Sequence, residues 1–250
     1  MLADNTVLIT GAWEGLGRGI ALAAGSAGAA VIVSALDRDR AEDVASEIRA
    51  RGGRAVGIAC DVTQQADLAA AVGVAQAEYG RLDAFIHNAN ESGSAARAVE
   101  DITDDDWAPA IAVGLRPIFL AAHVVLPALV ESQGSMIVMT SPAGIDGTAT
   151  LPVYSAVKGA QRAFVKSLAR EWGPRGVRVN AVSPSAVTPA LAAYLEREPQ
   201  MRTHMIDRAA LRRMGDAEKD IGRALNFLVS RDSGFVTGQT LIVSGGAMML

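Results

Sequence analysis

Three side chains that could carry out acid–base chemistry lie close together in the chain: Ser141, Tyr154 and Lys158. Tyr154 and Lys158 are four positions apart, so on a helix their side chains share a face. A free phenol has a pKa of about 10, and a nearby ammonium group favours the phenolate and lowers that value. The Ser141 hydroxyl could hold a substrate oxygen beside the tyrosine. Taken alone, the Tyr-x-x-x-Lys pair fits a surface helix better, so the acid–base interpretation depends on the elements around it.

A glycine-rich turn near the N-terminus supplies that support. Residues 6–10 form a short β-branched run, which is typical of a strand buried on both faces of a parallel sheet. Gly11, Gly15 and Gly17 follow at once, and an alanine-rich helical pattern covers 18–27. Glycines permit a tight turn and close backbone approach, and the helix N-terminus presents free N–H groups to a pyrophosphate. The order of strand, glycines and helix favours a dinucleotide-phosphate site over an ordinary turn.

The end of the second predicted strand, 29–34, bears on the choice between NAD and NADP. In a dinucleotide site an acidic side chain here receives the adenosine ribose hydroxyls, whereas an arginine receives a 2′-phosphate. The signal is mixed, because Ala35 stands where the acid is expected, and Asp37 and Arg38 follow slightly later. Glu14, inside the glycine turn, would repel a 2′-phosphate. The sequence therefore favours NAD as the cofactor and leaves NADP open.

Polar side chains follow the third and fourth predicted strands, 55–60 and 82–87. Asp61 comes directly after the third strand, where its carboxylate could meet an adenine amine. Alternatively, Asp61 or the Thr63 hydroxyl caps the next helix. Asn88 follows the fourth strand. Strands that alternate with helices predict an α/β fold, a Rossmann-type doubly wound parallel sheet with helices on both faces, whose ligands bind beyond the carboxyl ends of the strands.

The rest of the chain continues this alternation without an internal repeat or a low-complexity linker, so we assign residues 1–250 to a single dinucleotide-binding and catalytic domain. Pro127 is expected to kink or end the longest helix. The remaining predicted elements are helices over 40–51, 67–79, 104–130, 154–172 and 220–229, strands over 135–140, 177–182 and 240–243, and a loop over 91–100.

Residues 188–210 carry apolar side chains among charges, and we interpret them as a helical flap over the substrate site. A helix packed on a neighbouring subunit is the alternative. The apolar residues Leu151, Val153, Leu191, Tyr194 and Met201 suggest a fairly apolar substrate pocket, although core and interface residues share this composition.

The composition of the chain indicates which kind of partner it binds and in which cellular compartment we expect it. The chain has 250 residues, half of them hydrophobic, and a net charge of −4, which allows a large core. No run of Lys or Arg exceeds two residues, which argues against nucleic acid and favours a small-molecule partner. Cys60 is the single cysteine and no secretory leader is visible, so we predict a cytoplasmic protein. The apolar run over 117–130 is too short to span a bilayer, and the three histidines lack metal-ligand spacing.

Taken together, the motifs resemble the short-chain dehydrogenase/reductase family. The resemblance rests on T-G-x-x-x-G-x-G at 10–17, a variant of N-N-A-G at 87–90, Ser141, Y-x-x-x-K at 154–158 and T-G-Q…G-G at 237–246. These motifs cover nearly the whole chain in the family's order. The resemblance implies hydride transfer between a nicotinamide cofactor and a secondary alcohol or ketone. It also implies a homo-oligomer, a tetramer or dimer joined through helices such as 107–129 and 154–172.

The resemblance further implies a role for each site residue. Tyr154 would be the general acid/base, Lys158 would lower its pKa and hold the nicotinamide ribose, and Ser141 would position the substrate oxygen. The other cofactor contacts would be Gly11, Gly15, Leu16 and Gly17 at the pyrophosphate, Asp61 and Val62 at the adenine, Asn88 and Ala89 near the ribose, and Val187 at the carboxamide.

Several positions depart from the family's pattern. Gly114, seven residues after Trp107, stands where the family usually carries an asparagine of its proton relay. His87 and Asn90 replace the first asparagine and the glycine of N-N-A-G, and Ser185 replaces the glycine of a Pro-Gly pair. These changes leave two alternatives: a cofactor-binding sensor or scaffold with weak or no catalysis, and a cofactor-independent lyase of the dehalogenase type on the same fold. The intact Ser-Tyr-Lys set and glycine pattern favour the oxidoreductase.

Overall fold

Seven parallel strands form one sheet in the structure, a computed structural model that describes residues 2–90 and 96–249. The strands are β1 (Thr6–Thr10), β2 (Ala30–Ala35), β3 (Arg54–Ala59), β4 (Ala84–His87), β5 (Ser135–Met139), β6 (Arg178–Pro184) and β7 (Thr240–Val243). Their order across the sheet is β3-β2-β1-β4-β5-β6-β7. The order reverses between β1 and β4, and such a switch point opens a crevice at the carboxyl ends of the two strands.

Helices cover both faces of the sheet, so the predicted Rossmann-type fold is confirmed. The α-helices of the described residues are α1 (Gly15–Ser26), α2 (Arg38–Ala50), α3 (Gln65–Tyr79), α4 (Asp104–Gly114), α5 (Arg116–Ser132), α6 (Ala143–Asp146), α7 (Pro152–Trp172), α8 (Pro189–Arg197), α9 (Pro199–Arg208) and α10 (Arg223–Val229). One core lies between the sheet and α1, α2 and α10, and a second lies between the sheet and α3, α5 and α7.

Consecutive residues of a strand supply these two cores in turn. On β1, Val7 and Ile9 belong to the first core and Leu8 to the second, because side chains alternate across a sheet. Since both faces are covered, all five residues of β1 are buried. This explains why residues 6–10 show no alternation of apolar and polar types.

The long helix predicted over 104–130 is in fact two helices, α4 and α5, which meet at Leu115. Pro117, in the first turn of α5, explains the break, because proline has no N–H to donate to the preceding turn and disfavours helical geometry just before it. Of the two outcomes expected at Pro127, a kink or an end, the helix does not end there, since α5 continues to Ser132.

The apolar character of α4 and α5 comes largely from the core. By length and mean hydropathy, 1.9 over its most apolar window, the segment 104–132 could cross a membrane, but half of that window is buried in the protein. Ile118, Ala121 and Val125 of α5 pack in the same core as Leu8 of β1. The buried half of this segment therefore belongs to the core, as the sequence indicated for residues 117–130.

Three further predicted segments can be compared with the structure. Residues 188–210 are helical, as expected, and form α8 and α9. The first half of the predicted loop, 91–95, lies outside the described residues, and Val99–Asp101 forms one 3-10 turn. The helix predicted over 220–229 begins earlier, as a π-helical turn at Ala217–Gly222 that leads into α10.

Candidate active site

A cleft of about 750 Å³ opens at the switch point of the sheet, beyond the carboxyl ends of β1 and β4. Ten of the eleven predicted cofactor contacts line it: Gly11, Gly15, Leu16, Gly17, Asp61, Val62, Asn88, Ala89, Tyr154 and Lys158. The eleventh, Val187, is 38% exposed, and the cleft wall near it is formed by Thr188 and Pro189. The sequence reasoning did not single out Trp13, Leu36 and Arg40, which also line the cleft.

The glycine turn before α1 is packed closely against the end of β4. Gly11 has a φ of +62°, and a Cβ there would lie 2.8 Å from the Cα of Ala89. A Cβ on Gly17 would lie 2.2 Å from the carbonyl oxygen of Gly11. Only glycine fits these two positions, because the turn packs directly on itself and on the residues that follow β4. The free N–H groups and positive end of α1 suit a pyrophosphate, and the residues present therefore fit a dinucleotide.

The end of β4 is tied to the glycine turn by Asn88 and Thr10. The Asn88 side-chain amide donates to the carbonyl oxygens of Thr10, at 3.2 Å, and Gly11, at 2.8 Å. The Thr10 hydroxyl in turn accepts from the backbone N–H groups of Asn88 and Ala89, both at 3.1 Å. Asn88 thus holds the shape of the cradle, a role that the sequence, which placed it near the ribose, did not indicate.

Ser141, Tyr154 and Lys158 meet beside the cleft, as the sequence predicted. Ser141 follows β5, whereas Tyr154 and Lys158 lie one turn apart on α7. The Ser141 hydroxyl lies close enough to the Tyr154 phenol to act on its pKa, and it also accepts from the backbone N–H of Ala143 at 3.2 Å. The Lys158 ammonium lies 5.6 Å from the centroid of the Tyr154 ring and donates to the carbonyl oxygen of Met139 at 3.0 Å. Lys158 is 3% exposed, so this bond anchors a buried charge.

The electrostatics of this group differ from the expectation in one respect. Burial raises the pKa of Tyr154 above its ordinary value, and the hydrogen bond with Ser141 opposes that rise. The expected lowering of the tyrosine pKa by Lys158 is therefore not found in the protein alone. Burial also lowers the pKa of Lys158 to about 8. The phenol accordingly holds its proton at neutral pH, as a general acid requires.

Close contacts hold the Ser141 loop against α7. Gly144 of α6 packs on the backbone of Lys158, so closely that a Cβ at Gly144 would lie 2.5 Å from the Lys158 carbonyl carbon. Arg162, one turn further along α7, donates to the Gly144 carbonyl oxygen at 2.8 Å and to the Thr240 hydroxyl at 3.3 Å. Arg162 therefore fixes the loop that carries Ser141 to the helix that carries Tyr154.

The adenosine end of the cleft contains more acids than bases. Asp37 caps α2 by accepting from the N–H groups of Asp39 and Arg40. The Arg40 guanidinium lies 4.4 Å from the ring centroid of Trp13 and 3.6 Å from the Asp37 carboxylate. Glu14 is exposed at the start of α1. Arg40, the one arginine among the described residues that line the cleft, is therefore already paired with a carboxylate.

Asp61 does not cap a helix, the alternative that the sequence left open. Its carboxylate accepts from the backbone N–H and the hydroxyl of Thr63, at 2.9 and 2.7 Å, and α3 begins two residues later with Gln64 at its cap. Asp61 thus stabilises a turn after β3 and also lines the cleft.

Gly114 and the apolar residues proposed for the substrate pocket lie in surroundings that differ from those expected. Gly114 has no side chain to offer a proton relay, and its carbonyl oxygen accepts a hydrogen bond from the Gln161 amide at 2.7 Å. Val153 is buried in a small cluster with Ala110 and Val157, away from the cleft lining, and Met201 is exposed on α9. None of the five apolar residues proposed for the substrate pocket is among the described residues that line the cleft.

A glycine cradle at the switch point of a parallel sheet, with a serine, a tyrosine and a lysine beside it, defines a dinucleotide-dependent oxidoreductase of the Rossmann type. The family described as enoyl-(acyl carrier protein) reductase matches residues 11–248. Cyclohexanol dehydrogenase from Acinetobacter sp. (strain SE19) is 32% identical over 243 residues, which are 97% of this chain and 94% of that protein. The chain belongs to the short-chain dehydrogenase/reductase family.

Solved structures agree with this assignment. A 7 alpha-hydroxysteroid dehydrogenase complexed with NADH and 7-oxo glycochenodeoxycholic acid superposes with a TM-score of 0.90 at 31% identity, covering 98% of this chain and 94% of the other. A short-chain type dehydrogenase/reductase from Mycobacterium ulcerans gives a TM-score of 0.91 at 27% identity, covering 98% and 90%. The predicted family and enzyme class, a short-chain NAD(P)-dependent alcohol dehydrogenase or ketone reductase, are confirmed.

Proposed function

We propose that Tyr154 exchanges a proton with the oxygen of a secondary alcohol or ketone while NAD(H) exchanges a hydride with its carbon. The observation that supports this most directly is that Tyr154 and Lys158 both line the cleft, with the Lys158 ammonium 5.6 Å from the centroid of the Tyr154 ring and the Ser141 hydroxyl close to the phenol. Bound nicotinamide supplies or accepts the hydride.

Each of the three side chains has a separate task in this proposal. The Ser141 hydroxyl holds the substrate oxygen next to the phenol, and the loop that carries it is fixed to α7 through Arg162. Tyr154 gives its proton to the oxygen in reduction and takes one in oxidation. Lys158 stabilises the phenolate that remains, because the attraction between an ammonium and an anion is much stronger in the protein interior than in water. Lys158 also holds the nicotinamide ribose.

We further propose NAD rather than NADP as the cofactor. A 2′-phosphate needs a free cation, and Arg40 is already paired with Asp37 and stacked on Trp13. Glu14 also lines the cleft, and its carboxylate would repel the phosphate. Substituting Glu14 by Gln should improve NADPH use relative to NADH, whereas Arg40→Ala, its control, should leave the preference for NADH intact. A wild-type preference for NADPH that Arg40→Ala abolishes would contradict this assignment.

The substrate proposal is a small, fairly apolar secondary alcohol or ketone. It is supported by the similarity to cyclohexanol dehydrogenase and by the position of Thr188 and Pro189, which join the cleft wall to α8. Leu191 and Leu195 of α8 are partly or fully covered, as a flap that packs on a scaffold would be. We propose that α8 and α9 form this flap.

Assembly and compartment are also proposals. Trp107, Ile111 and Phe119 leave 40–52% of their surface exposed along α4 and α5, which is unusual for large apolar side chains. We propose that a second copy of the chain covers this face in a dimer or tetramer. The single cysteine suits a reducing cytoplasm.

The test is the consumption of NADH and of NADPH over a panel of cyclic and linear ketones, with wild type and Ser141→Ala. We expect turnover with NADH on apolar ketones and a loss of about 10²-fold in Ser141→Ala. Cofactor binding without turnover on any ketone or alcohol would instead support the sensor alternative.

A further inference from the structure

His87 lies inside the protein directly under the site. It ends β4, its relative exposure is 1%, and its ring stacks with that of Phe85 on the same face of the strand. That face belongs to the core shared with α5 and α7. His87 pairs with Val138 of β5, and the carbonyl of the next residue, Met139, accepts from the Lys158 ammonium. Because β4 lies between β1 and β5, His87 lies between Thr10 of the glycine turn and the strand end that anchors Lys158.

The hydrogen bonds of Thr10 determine which ring nitrogen carries the proton. The Thr10 hydroxyl oxygen accepts from the N–H groups of Asn88 and Ala89, which uses both of its lone pairs. Its one hydrogen is then left for the remaining neighbour, Nδ1 of His87, at 3.4 Å. Nδ1 must accept this bond, so a neutral His87 carries its hydrogen on Nε2.

The Nε2–H donor of His87 is fully buried and has no hydrogen-bond partner among the described residues. Leaving such a donor unsatisfied is costly, and buried polar groups of this kind usually bind an internal water. The Lys158 ammonium has three donors, of which one is engaged with the Met139 carbonyl. Nε2–H of His87 therefore needs an acceptor, and Lys158, anchored at the end of the neighbouring strand β5, has donors left to bond the same one.

We propose that His87 and Lys158 share one internal water, which accepts from Nε2 of the imidazole and from Nζ of the ammonium, and that His87 is thereby a positioning residue for Lys158. A water that accepts from the ammonium replaces part of the hydration that burial removes. It keeps Lys158 charged at higher pH. This inference rests on the proposed function for its kinetic consequence but not for the water itself.

The groups that could titrate around this water are few. Among the described residues, α7 contributes Tyr154 and Lys158, and β4 contributes His87 itself. The neighbouring ends of β1 and β5 contribute the Thr10 hydroxyl and the Met139 carbonyl, which do not titrate. Burial and the Lys158 charge lower the pKa of His87 to about 3, so the imidazole remains neutral throughout the working range. A change in the basic limb of the pH profile therefore reports on Lys158 or Tyr154.

Neutron diffraction from crystals of the full chain in deuterated water tests the arrangement without relying on turnover. We expect deuterium on Nε2 and none on Nδ1 of His87, and one ordered water within hydrogen-bond distance of both Nε2 and Lys158 Nζ. Deuterium on Nδ1, or Nε2 facing only apolar atoms, would overturn the proposal.

Matched substitutions of His87 separate positioning from packing. His87→Gln places an amide donor near the position of Nε2, His87→Asn places one nearer Nδ1, and His87→Phe keeps a ring without a donor. We expect the basic limb of kcat/KM for ketone reduction to move about one pH unit lower in His87→Phe and His87→Asn, a loss of about tenfold on that limb. His87→Gln should retain the wild-type profile.

Phe85→Leu is the packing control, because it lies on the same face of β4 and offers no polar atom. It should lower the melting temperature without moving the profile. Identical profiles for His87→Phe and wild type, or an equal shift in Phe85→Leu, would refute the positioning role. If the wild type shows no turnover, the proposed function fails while the neutron result still decides on the water.

Discussion

Gly114 is the departure from the family's pattern whose consequence can be worked out most fully from the structure. A Cβ at this position would lie 2.7 Å from Cγ1 of Val157, well inside van der Waals contact. Val157 is 5% exposed on α7 and is a β-branched residue with one preferred rotamer in a helix, so it cannot turn away freely. The small residue at 114 and the valine at 157 are therefore matched to each other.

The perturbation is Gly114→Ala. Overpacking costs about 1–3 kcal/mol, and replacing a helical glycine regains about 0.5–1 kcal/mol, so we expect a net loss of roughly 1–2 kcal/mol. For a chain of this size each kcal/mol corresponds to about 2–4 °C, which predicts a melting temperature lower by about 3–6 °C. Activity should fall as well, because Val157 precedes Lys158 and Gly114 accepts the Gln161 hydrogen bond.

The assay is a double-mutant cycle with Val157→Ala, read by urea unfolding. Val157→Ala removes the atom that the new Cβ meets, so the double variant should be more stable than the two single losses added together, by about 1 kcal/mol or more. Gly114→Asn should follow the same pattern with a larger loss. Additive losses, or a Gly114→Ala variant as stable as wild type, would refute the claim that these two positions are matched.

Two further predictions concern the lysine and the cradle. Because burial lowers the pKa of Lys158 to about 8 from 10.5, the unfolded chain holds this proton when the native protein has lost it, so stability should rise with pH between these values. Urea unfolding should show that the free energy of unfolding of wild type rises by about 3 kcal/mol relative to that of Lys158→Met between about pH 8 and about pH 10.5. If the difference between the two proteins stays constant over this range, the prediction is contradicted. Asn88→Ala removes two hydrogen bonds to the glycine turn, and we expect NADH affinity to fall about tenfold in a fluorescence titration, with Asn88→Gln unable to restore it. Unchanged affinity in Asn88→Ala would show that the turn holds its shape without the amide.

The local parts of the fold and site could be predicted from the sequence because their signals are local. The run over 6–10 and the glycines after it identify a buried strand and a phosphate cradle from a few adjacent residues. Tyr154 and Lys158 share a face simply because they are four positions apart on α7. Ten of the eleven cofactor contacts implied by the family resemblance line the cleft, because the carboxyl ends of neighbouring parallel strands meet at one edge of the sheet.

What could not be predicted depends on contacts between distant segments. The role of Asn88 depends on carbonyl groups 77 and 78 positions away. The stacking of Arg40 on Trp13 joins α2 to the glycine turn, and no sequence spacing indicates it. The expected lowering of the Tyr154 pKa was wrong because burial, which the spacing of Tyr154 and Lys158 does not reveal, raises this pKa more than the Ser141 hydroxyl lowers it.

The central claim is that the Tyr154 phenol is the proton donor of a nicotinamide-dependent reductase. The most direct measurement is the kcat/KM of Tyr154→Phe for the best ketone, together with its affinity for NADH. We expect kcat/KM to fall by about 10³-fold while NADH affinity stays within about twofold of wild type. Turnover at or near the wild-type rate in Tyr154→Phe would contradict the account.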